Sequence, residues 1–84
     1  FPQQEQVLIQ GVIDAYFEEN GTLVLLDYKT DRVKEGAELI NRYATQLDYY
    51  AQALTRLTHK PVSAKILYSF ALQETVQIYD VIKH

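Results

Sequence analysis

Two acids and a lysine stand at spacings that could do chemistry. Asp14 closes the stretch GVID (11–14), and Asp27 and Lys29 open DYKTD (27–31), straight after the apolar run LVLL. Acids and lysines are seldom buried unless paired or bound to a metal. An acid and a lysine at the end of a core-bound strand are therefore either its solvated exit or a site. Between the two segments lies Asn20-Gly21, the strongest short hairpin signal a sequence offers. A two-residue loop there pairs residues whose numbers sum to 41, which sets Asp14 opposite Asp27 with Cα atoms roughly 4.5–5.5 Å apart. Lys29 shares their face by the period of two, whereas an odd loop with a bulge would shift the register by one.

Like charges facing each other across a ladder destabilise a sheet unless a proton or a cation intervenes. Two close carboxylates suit a hard divalent cation such as Mg²⁺, which takes one or two protein carboxylates together with water and phosphate oxygens. A lysine beside such a site can hold an attacking water or neutralise charge on a phosphate. Asp14, Asp27 and Lys29 thus read as a centre for metal-assisted phosphodiester hydrolysis. The plainer alternative is that D-x-K marks an ordinary solvated strand end.

The elements that must position these residues follow from periodicity. Residues 7–29 form the hairpin, with β-branched and aromatic residues on both arms and Gly11 marking a bulge or close approach. Ile40, Tyr43, Leu47, Tyr50, Ala51, Leu54 and Leu57 recur at three and four, which predicts a helix over about 37–57, with Gly36 as N-cap and Pro61 barring continuation. The spacing predicts a strand over 62–72, with Val62, Ala64, Ile66, Tyr68, Phe70 and Leu72 on one face, and a short last strand over about 76–81. The order hairpin, helix, strand, strand is that of an α/β or α+β domain: one sheet with a helix covering it. On the helix, Arg42, Gln46 and Tyr50 fall in one i, i+4, i+8 row at the rim of the apolar stripe, and Tyr49 points to water. That rim is either a place to hold a nucleic-acid backbone or an ordinary border of the core. Tyr16, Tyr43, Tyr68 and Tyr79 read as packing residues with a polar tip, and Thr30 and Asp31 as residues that turn the chain toward the helix.

Composition narrows the classes. The 84 residues bound a single small domain or part of a larger one, and 48% hydrophobic content argues against disorder. A net charge of −3 gives no basic field for nucleic acid, although a nuclease site needs local acids rather than net charge. Cysteine is absent and the two histidines, His59 and His84, are far apart, so thiolate zinc and paired-histidine sites are excluded. No apolar run approaches the ~18 residues of a membrane span. The opening FPQQEQ leads directly into a strand-like run and reads as the start of an excised segment.

GVID, DYKTD and QLDYY, in that order over about Val7–Leu72, resemble the nuclease domains of bacterial AddA-type (RexA-type) helicase–nucleases, in the RecB-like branch of the PD-(D/E)XK nuclease superfamily. The resemblance implies a restriction-endonuclease-like α/β core. It implies that Asp14 and Asp27 hold Mg²⁺ (Mn²⁺ as a substitute) with the main-chain carbonyl of Tyr28, that Lys29 is catalytic, and that Gln46 and Tyr50 contact DNA through a Q-x-x-x-Y motif. Arg42 joins them as a DNA contact on geometry alone. The family also places a core helix with a metal ligand upstream of GVID, and Glu5 stands too close to the strand to match it. There is no G-x-x-x-x-G-K-[ST] phosphate loop, so ATP belongs to an absent helicase domain. The expectation is the C-terminal part of a longer bacterial cytoplasmic polypeptide that cuts DNA in double-strand-break repair beside an AddB-type (RexB-type) partner. The sheet face left bare by the missing helix would favour a homodimer of the fragment. A nuclease-like fold kept only for DNA binding or for contact between subunits is the rival reading.

Overall fold

The computed structural model describes residues 15–79. They form strand β1 (Ala15–Glu19), strand β2 (Thr22–Lys29), helix α1 (Gly36–Thr58), strand β3 (Val62–Ser69) and strand β4 (Glu74–Ile78). One mixed sheet holds the strands in the order β1-β2-β3-β4, with β1–β2 and β3–β4 antiparallel and the central β2–β3 pair parallel. Helix α1 is the crossover that a parallel pair requires. This is the α/β arrangement of sheet and covering helix that the sequence predicts.

The hairpin turn is built by Asn20 (φ 53°) and Gly21 (φ 79°), both left-handed, the combination a tight turn needs to match strand twist. Its ladder runs Ala15↔Leu26, Tyr16↔Leu25, Phe17↔Val24, Glu18↔Leu23 and Glu19↔Thr22, so every pair sums to 41. The segment of the predicted hairpin before Ala15, Asp14 included, lies outside the described residues.

The sheet packs one face on the helix. Leu23 and Leu25 of β2, Leu67 of β3 and Val76 and Ile78 of β4 meet Leu39, Leu47, Tyr50 and Leu54 of α1. Leu25, Leu39, Leu47, Leu54 and Leu67 lose all contact with water, each contributing about 1.5–3 kcal/mol. The start of the helix lies against β4. A Cβ on Gly36 would lie 3.0 Å from Val76 Cγ2, so glycine lets the two elements approach. Gly36 is the first helical residue rather than the N-cap. That position falls to extended Glu35, whose side chain makes no capping bond. His59, left-handed at φ 59°, closes the helix by donating its N–H to Thr55 O.

The last two strands differ from the sequence expectation. β3 ends at Ser69, because the Ser69 hydroxyl accepts the Leu72 N–H at 3.0 Å and turns the chain, with Gln73 left-handed at φ 55°. β4 consequently starts two residues early and ends at Ile78. The apolar face of β3 is also not the one under the helix. Lys65, Leu67 and Ser69 are buried there, and Ile66 and Tyr68 are only half-buried on the other face. Two polar residues can face the core because Lys65 Nζ is hydrogen-bonded to Asp48 of α1 and Ser69 is held by its turn.

Candidate active site

Asp27 and Lys29 stand at the carboxyl end of β2, where ligands of parallel sheets bind. Their neighbours in β3 are Leu67 and Ser69, which puts both side chains on the helix-covered face. Asp27 is buried, with 5% of its surface exposed. Its Oδ2 lies 3.0 Å from Lys29 Nζ, which is itself mostly covered. The two charges therefore face each other away from bulk water, where such a pair interacts strongly but is costly to split.

Tyr43, on the second turn of α1, lies beneath the lysine: Lys29 Nζ sits 3.9 Å from its ring centroid. Burial alone would lower the Lys29 pKa. The hydrogen bond and charge of Asp27, with smaller contributions from Tyr43 and Tyr50, outweigh it and hold the ammonium above its ordinary 10.5. Lys29 is thus a cation at neutral pH, suited to neutralising charge or orienting water and unsuited to taking up a proton.

A second cluster braces the first. The Tyr43 hydroxyl donates to Asp31 Oδ2 at 2.7 Å, and Arg42 Nη1 donates to the same oxygen at 3.0 Å. These bonds, the Tyr43 hydroxyl first, hold the Asp31 carboxyl below the usual 3.8. The same bond, with burial, raises the Tyr43 hydroxyl above 10. Asp31 therefore does more than turn the chain: it fastens the loop after β2 to the helix beside Lys29. Nothing local in the sequence marks this contact, which spans 12 residues. The one signal for it is an acid two residues past the lysine, beyond the polar face of the strand. Tyr43 is likewise more than a packing residue, whereas Tyr16 and Tyr79 are exposed.

The remaining candidates divide. Tyr50 is buried at 6% exposure and Tyr49 exposed at 45%, as the helix period predicts. Gln46 is exposed on the same side of α1, one turn from both Tyr43 and Tyr50. Arg42 is half exposed but paired with Asp31, and more loosely with Glu38 at 3.9 Å. Tyr28 turns its side chain to the opposite face of the sheet, where its ring packs on Phe70 and Tyr68 at 5.9 and 6.3 Å. Among the described residues no three His, Cys, Asp or Glu side chains converge to hold a metal, and no helix is long and apolar enough to cross a membrane. Asp27 supplies one buried carboxylate of the hard-oxygen kind that Mg²⁺ prefers.

Comparison with known proteins gives this arrangement its class. Residues 2–80 match the model of the PD-(D/E)XK nuclease superfamily, and the chain belongs to that superfamily. It is similar to an ATP-dependent helicase/nuclease protein of Clostridium botulinum strain Hall, 51% identical over 76 residues. The protein of the same name in Clostridium novyi strain NT is 50% identical over 78 residues. Each alignment covers 90% of this chain and 6% of the relative, so the chain spans a small fraction of the length of the curated relatives it matches.

Proposed function

We propose that this chain is the DNA-cleaving domain of a bacterial helicase–nuclease, hydrolysing phosphodiester bonds with the help of a divalent cation. The observation that carries the reading is the Asp27–Lys29 pair, a buried acid and a mostly covered lysine at the end of a strand whose ladder with β1 sums to 41 throughout. The reading takes Asp14 to stand opposite Asp27, as the hairpin arithmetic of the sequence expects. Asp14, Asp27 and the Tyr28 carbonyl would then hold Mg²⁺, with Mn²⁺ as a substitute. When bound, such a cation polarises the phosphoryl group and acidifies a bound water.

The chain's own residues do the rest. Asp27 keeps Lys29 charged and aimed at the reaction centre. The Lys29 ammonium holds the attacking water or offsets the negative charge that builds on the phosphoryl oxygens. Gln46 and Tyr50 orient the DNA strand from the helix, and a contact of this kind to the backbone positions substrate without reading sequence. Arg42 would join them as a phosphate contact, its charge shared with Asp31, to which it is bonded. The partners are DNA and, in the complete protein, an AddB-type second subunit. The setting is double-strand-break repair in a bacterial cytoplasm, with ATP consumed outside this domain.

The test is cleavage of labelled DNA by the complete polypeptide with Mg²⁺ present. Asp27→Ala and Lys29→Ala each abolish cleavage on this reading. Retention of Mg²⁺-dependent cleavage in either variant would reject it, and binding without cleavage in the wild type would favour a domain kept only for contact.

A further inference from the structure

We propose that Tyr43 is the positioning residue for Lys29, with Asp31 as the fastening that holds Tyr43 in place. This role rests on the nuclease reading of Asp27 and Lys29 and goes beyond it, because neither Tyr43 nor Asp31 is a residue of the D-x-K or Q-x-x-x-Y patterns.

The Lys29 ammonium ends a flexible stem, so its place is set by what it touches. It touches a carboxylate on its own strand at 3.0 Å and an aromatic face from the helix at 3.9 Å. These two partners differ in what they can do once the site is in use. A carboxylate that binds a cation must divide its negative charge between that cation and the lysine. An aromatic face has no lone pair to give a hard metal, and its attraction for an ammonium ion remains. Tyr43 is thus the partner that keeps hold of Lys29 while Asp27 serves another charge.

The ring is itself immobilised. Its hydroxyl donates to Asp31 Oδ2 at 2.7 Å, and Arg42 holds that oxygen from the same helix at 3.0 Å. Strand β2, the loop that follows it and helix α1 are therefore joined around one ammonium group. A hydroxyl that donates to a carboxylate also makes the ring richer in electrons, which strengthens its grip on a cation. A residue serving only to pack would need neither the bond to Asp31 nor a lysine centred on its face.

The test compares cleavage kinetics of the complete polypeptide, with saturating Mg²⁺ and rates normalised to the folded fraction from circular dichroism. Tyr43→Leu and Tyr43→Gln remove the ring, Gln securing the test if Leu does not fold. Tyr43→Phe keeps the ring. The Leu and Gln variants are expected to lose about tenfold to thirtyfold in kcat with KM within about twofold, and Phe, which keeps the ring but loses its bond to Asp31, to lose less, about threefold. Wild-type kcat in a folded Leu or Gln variant overturns the proposal. So does a Phe variant as slow as Leu, or a loss confined to KM. Lys29→Ala and Asp27→Ala, run alongside, separate the two claims: if they still cleave, the nuclease reading falls; if they are dead and Leu and Gln are unimpaired, only the role of Tyr43 falls.

Discussion

Replacing Tyr43 by Phe deletes one oxygen from a cluster whose contribution to stability can be worked out. The hydroxyl donates at 2.7 Å to a carboxylate that retains 21% of its side-chain exposure. A hydrogen bond to a charged group is worth about 1.5–3 kcal/mol when shielded, and partial solvation of Asp31 reduces this to about 1–2 kcal/mol. The Arg42 bond to the same oxygen remains, but Arg42 is half exposed and such a pair adds about 1 kcal/mol at most. The pH dependence follows from the two shifted groups. Asp31 is lowered, so its stabilisation is complete above about pH 4 and is lost as pH falls through its folded value. Tyr43 is raised, so its stabilisation is complete below about pH 10 and is lost as pH rises through its folded value. Urea denaturation of wild type and Tyr43→Phe, followed by circular dichroism from pH 2.5 to 11, should show a deficit of about 1–2 kcal/mol that is flat across neutral pH. The deficit should shrink as pH approaches either extreme. A deficit that persists unchanged in acid would refute the charged hydrogen bond, and none at pH 7 would mean that water replaces it without loss.

Other consequences are simpler to state. Gly36→Ala places a methyl 3.0–3.2 Å from the Val76 methyls; the crowding of about 1–3 kcal/mol outweighs the roughly 1 kcal/mol gain in helix propensity, and thermal melts should show Val76→Ala restoring part of the loss. Gly21→Ala meets no atom within 4 Å yet carries φ +79°, so its cost of about 1 kcal/mol, read from the same melts, is pure backbone strain. Asp48→Ala should destabilise more than Lys65→Met, because it removes a partner of a buried ammonium group while Met fills the same space uncharged. In chemical denaturation the opposite order would show that the Lys65–Asp48 bond contributes little.

What the sequence disclosed was what is local. Asn20-Gly21 dictates a turn, a turn dictates a register, and the observed ladder follows the arithmetic from Ala15↔Leu26 to Glu19↔Thr22. The same holds for α1, whose stripe of Leu47, Tyr50 and Leu54 is the buried one. The failures have one main cause, a partner that the alternating pattern does not reveal. Alternation carries on past Ser69 in the sequence, but a serine hydroxyl that accepts an N–H three residues ahead ends the strand. Lys65 and Ser69 make the helix-facing side of β3 look like the solvent side, and the bond from Lys65 to Asp48 on α1 is one that the alternating pattern does not reveal. Asp31 and Tyr43 meet because the loop after β2 returns along the helix. Of the site itself, Asp27 and Lys29 were legible as a pair on one face, while the aromatic face beneath the lysine depended on how that helix docks.

Asp14 and Asp27 are proposed to hold a divalent cation between them, beside Lys29. Mn²⁺ soaked into crystals of the complete polypeptide, located by its anomalous scattering, tests it most directly. The expected result is a single peak bonded to carboxylate oxygens of both Asp14 and Asp27, with Lys29 Nζ still over the Tyr43 ring. A peak held by other residues, or Asp14 and Asp27 turned to opposite faces of the sheet, would contradict it.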